Sequence, residues 1–161
     1  MIKNSSHRLV YFIGFLFIAA LLGAMTYLEL YQGFTPCALC ILQRFVFGIL
    51  GVFFLIGSIL SGLISRRVIA ILSALTSLCG IAFAGRQVWL QHFPHSVNGN
   101  CEVSLRYMLK ALPLDEVIHK VFSGGAECTQ VGWSFMNISL AEWSLVGFIL
   151  FFLMSLWQLR R

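Results

Sequence analysis

Charge is what this sequence has least of. Asp, Glu, Lys and Arg make up 11% of its 161 residues, against about 25% in an ordinary soluble domain. That shortage, beside an apolar fraction of 59%, excludes a disordered chain, which needs high net charge and few large apolar side chains. Proline is scarce too, with three in all, and this excludes collagen-like and mucin-like classes. No internal repeat and no low-complexity tract interrupts the chain. The composition points to a protein embedded in a membrane, organised as a single domain over 1–161.

A bilayer core about 30 Å thick is crossed by about 20 apolar residues rising 1.5 Å each. Four uncharged stretches approach that length: 9–28 and 45–64 with 20 residues each, 68–85 with 18, and 143–159 with 17. The predicted fold class is therefore an all-α membrane protein, a four-transmembrane-helix bundle with outer segments 29–44 and 86–142. Lys3, Arg8, Arg66, Arg67, Arg160 and Arg161 fall on one side of these spans with no acidic residue among them. By the positive-inside rule that side is the cytoplasm, and both termini lie there. The opposite side receives all six acidic residues. The net charge of +5 thus expresses orientation and calls for no nucleic acid. The first stretch is too long for a signal core of about 7 to 15 residues and lacks a clean A-x-A site, so it reads as a retained span.

Within the spans, Gly14, Gly23, Gly48, Gly51, Gly57, Ser58 and Gly80 are candidates for close helix packing, because small residues let backbones approach. Ser139 and Glu142 form an S-x-x-E capping box ahead of the last span, with Trp143 at interfacial depth. In the long outer segment, Leu114, Val117, Ile118, Val121 and Phe122 recur at helical spacing after Pro113. They predict a short amphipathic helix, either lying on the membrane surface or docked on the bundle.

Of five cysteines, Cys79 falls inside a span and reads as a small apolar group. Cys37, Cys40, Cys101 and Cys128 all lie outside, where a periplasm would be oxidising. Four cysteines permit three connectivities, and the sequence does not choose among them. Spacing favours a local Cys37-x-x-Cys40 pair and a distant Cys101 and Cys128 pair. A C-x-x-C at a helix start sits among unpaired N–H groups and the positive end of the dipole, which stabilise thiolate. Arg44, one turn after Cys40, either adds to that stabilisation or holds an electron-rich ligand, or else snorkels to cap the span. Bridging one helical turn constrains the chain little, so redox or metal chemistry explains the local pair better than a staple does. Zinc is disfavoured, because the second pair lacks C-x-x-C spacing and an oxidising compartment opposes free thiolates; no metal is expected.

The ordered set Pro36-Cys37-x-Leu39-Cys40-x-x-Gln43-Arg44, Gly85-Arg86-Gln87-Val88-Trp89-Leu90-Gln91, Cys101, Pro113-Leu114-Asp115, Cys128 and Trp143-Ser144 resembles the DsbB family over nearly the whole chain. These are bacterial inner-membrane proteins that reoxidise the periplasmic thiol oxidase DsbA and pass its electrons to a quinone. The resemblance implies a quinone, ubiquinone or menaquinone, as cofactor and a DsbA-like dithiol protein as partner. It implies Cys37 and Cys40 as the pair beside the quinone, with Cys40 facing it and Arg44 polarising a quinone oxygen. Cys101 and Cys128 would form the mobile pair, Cys101 making the mixed disulfide with the partner and Cys128 exchanging with Cys37. Gln87 stands near the quinone where some family members have His, and a glutamine there can donate a hydrogen bond. The outer histidines His92, His95 and His119 read as water-facing.

Overall fold

The computed structural model describes residues 2–32, 37–60, 62–93, 134–135 and 138–160. Over these residues the chain is almost entirely helical, with four helices long and apolar enough to cross a membrane. They are α1 (Ile2–Gln32), α2 (Ala38–Ile59), α3 (Leu63–His92) and α4 (Leu140–Arg160). Between α3 and α4 lies a two-residue antiparallel pairing of β1 (Ser134–Phe135) with β2 (Ile138–Ser139), in the register Ser134 to Ser139 and Phe135 to Ile138. This small hairpin was not legible in the hydrophobic pattern, because two-residue strands leave no periodicity to read. The expected amphipathic helix around Leu114–Phe122 lies outside the described residues.

The helices overrun the uncharged stretches. α1 has 31 residues and carries Lys3, Arg8 and Glu29, and α3 has 30 and carries Arg66, Arg67 and Arg86. At 1.5 Å per residue each is about 45 Å long, enough to take its charges beyond the hydrocarbon. The α2 helix stops inside an uncharged stretch, at Ile59. At its end Leu60 takes an extended conformation, its N–H closes onto the Ile56 carbonyl, and Arg8 reaches over from α1 to donate to the Ile59 carbonyl at 2.7 Å. A cation on an orphan helix carbonyl is a C-terminal cap that hydropathy cannot register. The α4 start, by contrast, follows the capping box read from the sequence. The Ser139 N–H donates to Glu142 Oε2 at 2.6 Å and the Glu142 N–H to Ser139 Oγ at 3.3 Å.

The helices pack in sequence around the bundle, α3 most extensively on α4, then α1 on α2 and α2 on α3. Their shared core is aromatic. Phe47 stacks on Phe148 with ring centroids 3.9 Å apart, and Phe54 meets Tyr11 and Phe151 edge-on, each at 5.4 Å. Space for these rings comes from small residues: a Cβ at Gly80 would fall on the Phe148 ring, and one at Gly14 on the Phe54 ring. Gly23 and Gly48 have no neighbour within 4 Å of that point, so the expectation of close packing does not extend to them. On the outer faces, Leu16, Ile49, Leu75 and Leu153 are exposed, as suits side chains that meet lipid.

The backbones of α1 and α4 approach each other far less than the other neighbours do. They meet through side chains such as His7 with Gln158 and Phe17 with Phe151. The result is an apolar groove of about 350 Å³ lined by Phe17, Leu21, Met25, Phe47, Trp143 and Gly147. It shares Phe17 and Leu150 with a second groove of about 480 Å³ that reaches Met154 and Trp157.

Candidate active site

The helix α2 begins on a cysteine. Cys37 is its N-cap in extended conformation, φ −69° and ψ 166°, and its sulfur accepts the Cys40 backbone N–H at 3.4 Å. A sulfur here does what a Ser or Asp oxygen does at other helix starts, occupying an orphan donor of the first turn. The three-residue step brings both sulfurs to one side. The Cys37 thiol donates to Cys40 Sγ at 2.9 Å. At that distance the two cysteines are unbonded, with their sulfurs in contact. Cys37 is buried against Leu39 and Leu90, whereas Cys40 is partly open.

The α3 helix supplies a further donor. Gln87 Nε2 lies 3.0 Å from Cys40 Sγ and 3.5 Å from Cys37 Sγ. Its other end is also engaged, because Gln43 Nε2 donates to Gln87 Oε1 at 2.6 Å. Gln43 and Gln87 are 3% and 4% exposed, so water offers their amides little competition. The Cys40 sulfur therefore accepts from the Cys37 thiol and from Gln87, at the positive end of a helix dipole. Cys37 Sγ has its own donors in the Cys40 N–H and Gln87, so the whole pair lies where negative charge on sulfur is favoured, with Cys40 the nearer to Gln87 and the more open of the two.

Arg44 lies on α2 one turn below Cys40 and reaches across to α1. Its guanidinium pairs with the Glu29 carboxylate, and its Nη2 donates to the Met25 carbonyl at 3.4 Å. Cys40, Gln43 and Arg44 border a narrow cleft of about 10 Å³. The cleft shares Met25, Leu140 and Ser144 with the α1–α4 groove, so the two lie side by side on the same part of the bundle. At the rim, Ser139 Oγ donates to Gln91 Oε1 at 2.8 Å and His92 Nε2 lies 3.8 Å from Glu142 Oε1, tying the start of α4 to the end of α3.

Of the residues singled out in the sequence, Cys37, Cys40 and Gln87 come together, and Arg44 joins them at the cleft. Cys101 and Cys128 lie outside the described residues. Two neighbours were missed as site residues. Gln43 had a signal in its spacing, three residues after Cys40 and thus on the same helix face. Glu29 is the one acidic residue of segment 29–44, as Arg44 is the one basic residue, although only tertiary structure brings them together.

The family model for disulfide bond formation protein DsbB matches residues 7–158. The chain belongs to the DsbB family. Its relatives include disulfide bond formation protein B of Stutzerimonas stutzeri, 40% identical over 160 residues that cover 99% of this chain and 98% of the relative. Disulfide bond formation protein B 1 of Pseudomonas aeruginosa is 40% identical over 158 residues, 98% of this chain and 97% of the relative. Disulfide bond formation protein B of Hahella chejuensis is 39% identical over 145 residues, 89% and 88%. As a DsbB-family member with four spanning helices, the protein is a multi-pass membrane disulfide oxidoreductase.

Proposed function

We propose that this DsbB-family protein is a quinone-dependent thiol oxidase of the bacterial inner membrane, which reoxidises a periplasmic DsbA-like dithiol protein. The observation that carries the proposal is the cysteine pair at the start of a spanning helix, beside a cleft that shares three lining residues with an apolar groove. The donor set fits a quinone. The groove suits an apolar ring and tail, Arg44 offers N–H groups to a ring oxygen, and Cys40 is the sulfur at the cleft. A bound quinone, ubiquinone or menaquinone, supplies a two-electron, two-proton acceptor; Cys37 and Cys40 release both electrons and both protons as their disulfide forms.

In this reading Arg44 holds charge against the quinone oxygen, and Gln87 keeps a donor on the Cys40 sulfur. The partner's thiolate attacks the Cys101–Cys128 disulfide at Cys101 and releases Cys128 as thiolate. Cys128 then attacks the Cys37–Cys40 disulfide at Cys37 and releases Cys40. The partner's second thiol displaces Cys101 from the mixed disulfide, and Cys101 closes on Cys128, freeing Cys37. Two thiols have left the partner, and two are left at Cys37 and Cys40. The basic residues Lys3, Arg8, Arg66, Arg67, Arg160 and Arg161 support cytoplasmic termini and periplasmic redox cysteines, within one membrane domain.

The test uses a DsbA-like partner that retains only its attacking cysteine. The expected result is a mixed disulfide that accumulates with Cys101, seen on a non-reducing gel and lost in Cys101→Ser. A link to Cys37, formed equally well in Cys101→Ser, would overturn this order of exchange.

A further inference from the structure

We propose that Gln43 is a positioning residue, which fixes the orientation of Gln87 so that the Gln87 side chain presents its NH2 group, and not its carbonyl, to the sulfur of Cys40. The proposal rests on the reading above in one respect, that Cys40 is the reactive sulfur of the pair.

The two ends of a glutamine amide are nearly equal in shape and opposite in polarity. A Gln87 free to turn over would set either end against Cys40. With the carbonyl inward it would repel a thiolate; with the NH2 inward it donates to one. Three helix positions settle the choice. Gln43 follows Cys40 by one turn on α2, and its Nε2 donates to Gln87 Oε1 at 2.6 Å. The Gln87 carbonyl is thereby held by a donor, and its Nε2 is left to face Cys40 Sγ at 3.0 Å. Turning Gln87 over alone, with Gln43 held, would set NH2 against NH2 at Gln43 and, once Cys40 is ionised, carbonyl against thiolate, two repulsive contacts in place of two bonds. Both amides are almost fully buried, so no bulk water relieves that penalty. Neither group titrates, and the donor therefore persists at every pH at which the protein is folded.

The experiment is a double-mutant cycle on thiol reactivity, with reduced full-length protein in detergent, iodoacetamide at neutral pH, and peptide mass spectrometry to follow each cysteine. Methionine is the substitution at both positions, because it is unbranched, of similar length, and donates no hydrogen bond. Gln87→Met is expected to slow Cys40 alkylation by about tenfold and Gln43→Met by about fivefold, the range expected for losing a bond to a charged group and the bond that orients it. The double variant is expected to be no slower than Gln87→Met alone, because Gln43 acts through Gln87. The proposal is overturned if Gln43→Met leaves Cys40 at its original rate, or if it slows Cys40 by the same factor with and without Gln87. Neither quinone nor partner enters the measurement, so the positioning role of Gln43 can fail while the quinone proposal stands, and the reverse.

Discussion

Arg44 of α2 is held from α1, by the Glu29 carboxylate and the Met25 carbonyl, with its guanidinium at the cleft beside Cys40. The cation is thus positioned by the protein before any ligand arrives, and its role can be separated from that of its anchor. Arg44→Ala removes a charge-assisted donor, and the KM for quinone is expected to rise by about tenfold in steady-state assays while the protein still inserts. Glu29→Gln leaves the guanidinium in place. Glu29 is partly exposed, its ion pair is screened, and the expected change is less than about threefold. Equal losses in the two variants would mean that Arg44 serves only to join α1 to α2.

The α1–α4 groove makes a separate prediction. Ala24 is exposed on α1 and lines the groove, so Ala24→Trp would fill it from the edge without disturbing the aromatic core. The KM for a long-tailed quinone is expected to rise by about fivefold, matching about 1 kcal/mol of lost apolar contact. A quinone with no isoprenoid tail should be affected little. A uniform effect on both would place the tail elsewhere.

Gly80 tests the packing that holds α3 on α4. A Cβ there meets the Phe148 ring, which is itself stacked on Phe47. Gly80→Leu is expected to lower stability by about 3 kcal/mol, the upper range for overpacking, measured by thermal unfolding in detergent. Gly23→Leu, with nothing near its Cβ, serves as the tolerant control.

Cys79 is one residue before Gly80 and exposed on the outer face of α3. Cys79→Ser is expected to retain turnover within about twofold, the ordinary outcome for a surface substitution away from the site. A folded but inactive Cys79→Ser would show that this thiol takes part in the chemistry.

What the sequence disclosed, and what it withheld, follows from the range of the interactions. The four helices were legible because a bilayer imposes long uncharged stretches, and the α4 start because Ser139 and Glu142 are only three residues apart. The α2 stop was not legible, since it depends on Arg8 reaching Ile59 from another helix. The same holds at the site. Cys37 and Cys40 announce themselves by spacing, whereas the pairing of Gln43 with Gln87 and of Glu29 with Arg44 arises only when helices distant in sequence pack together.

The central claim is that electrons leave a protein dithiol and arrive at a quinone through these cysteines. The most direct measurement is quinone absorbance during turnover, with the purified protein, a reduced DsbA-like partner, and Cys40→Ser and Cys101→Ser variants in parallel. The expected result is one quinone lost for each partner disulfide formed, and neither process in either variant. Partner oxidation with no loss of quinone, or quinone loss that survives in Cys40→Ser, would contradict it.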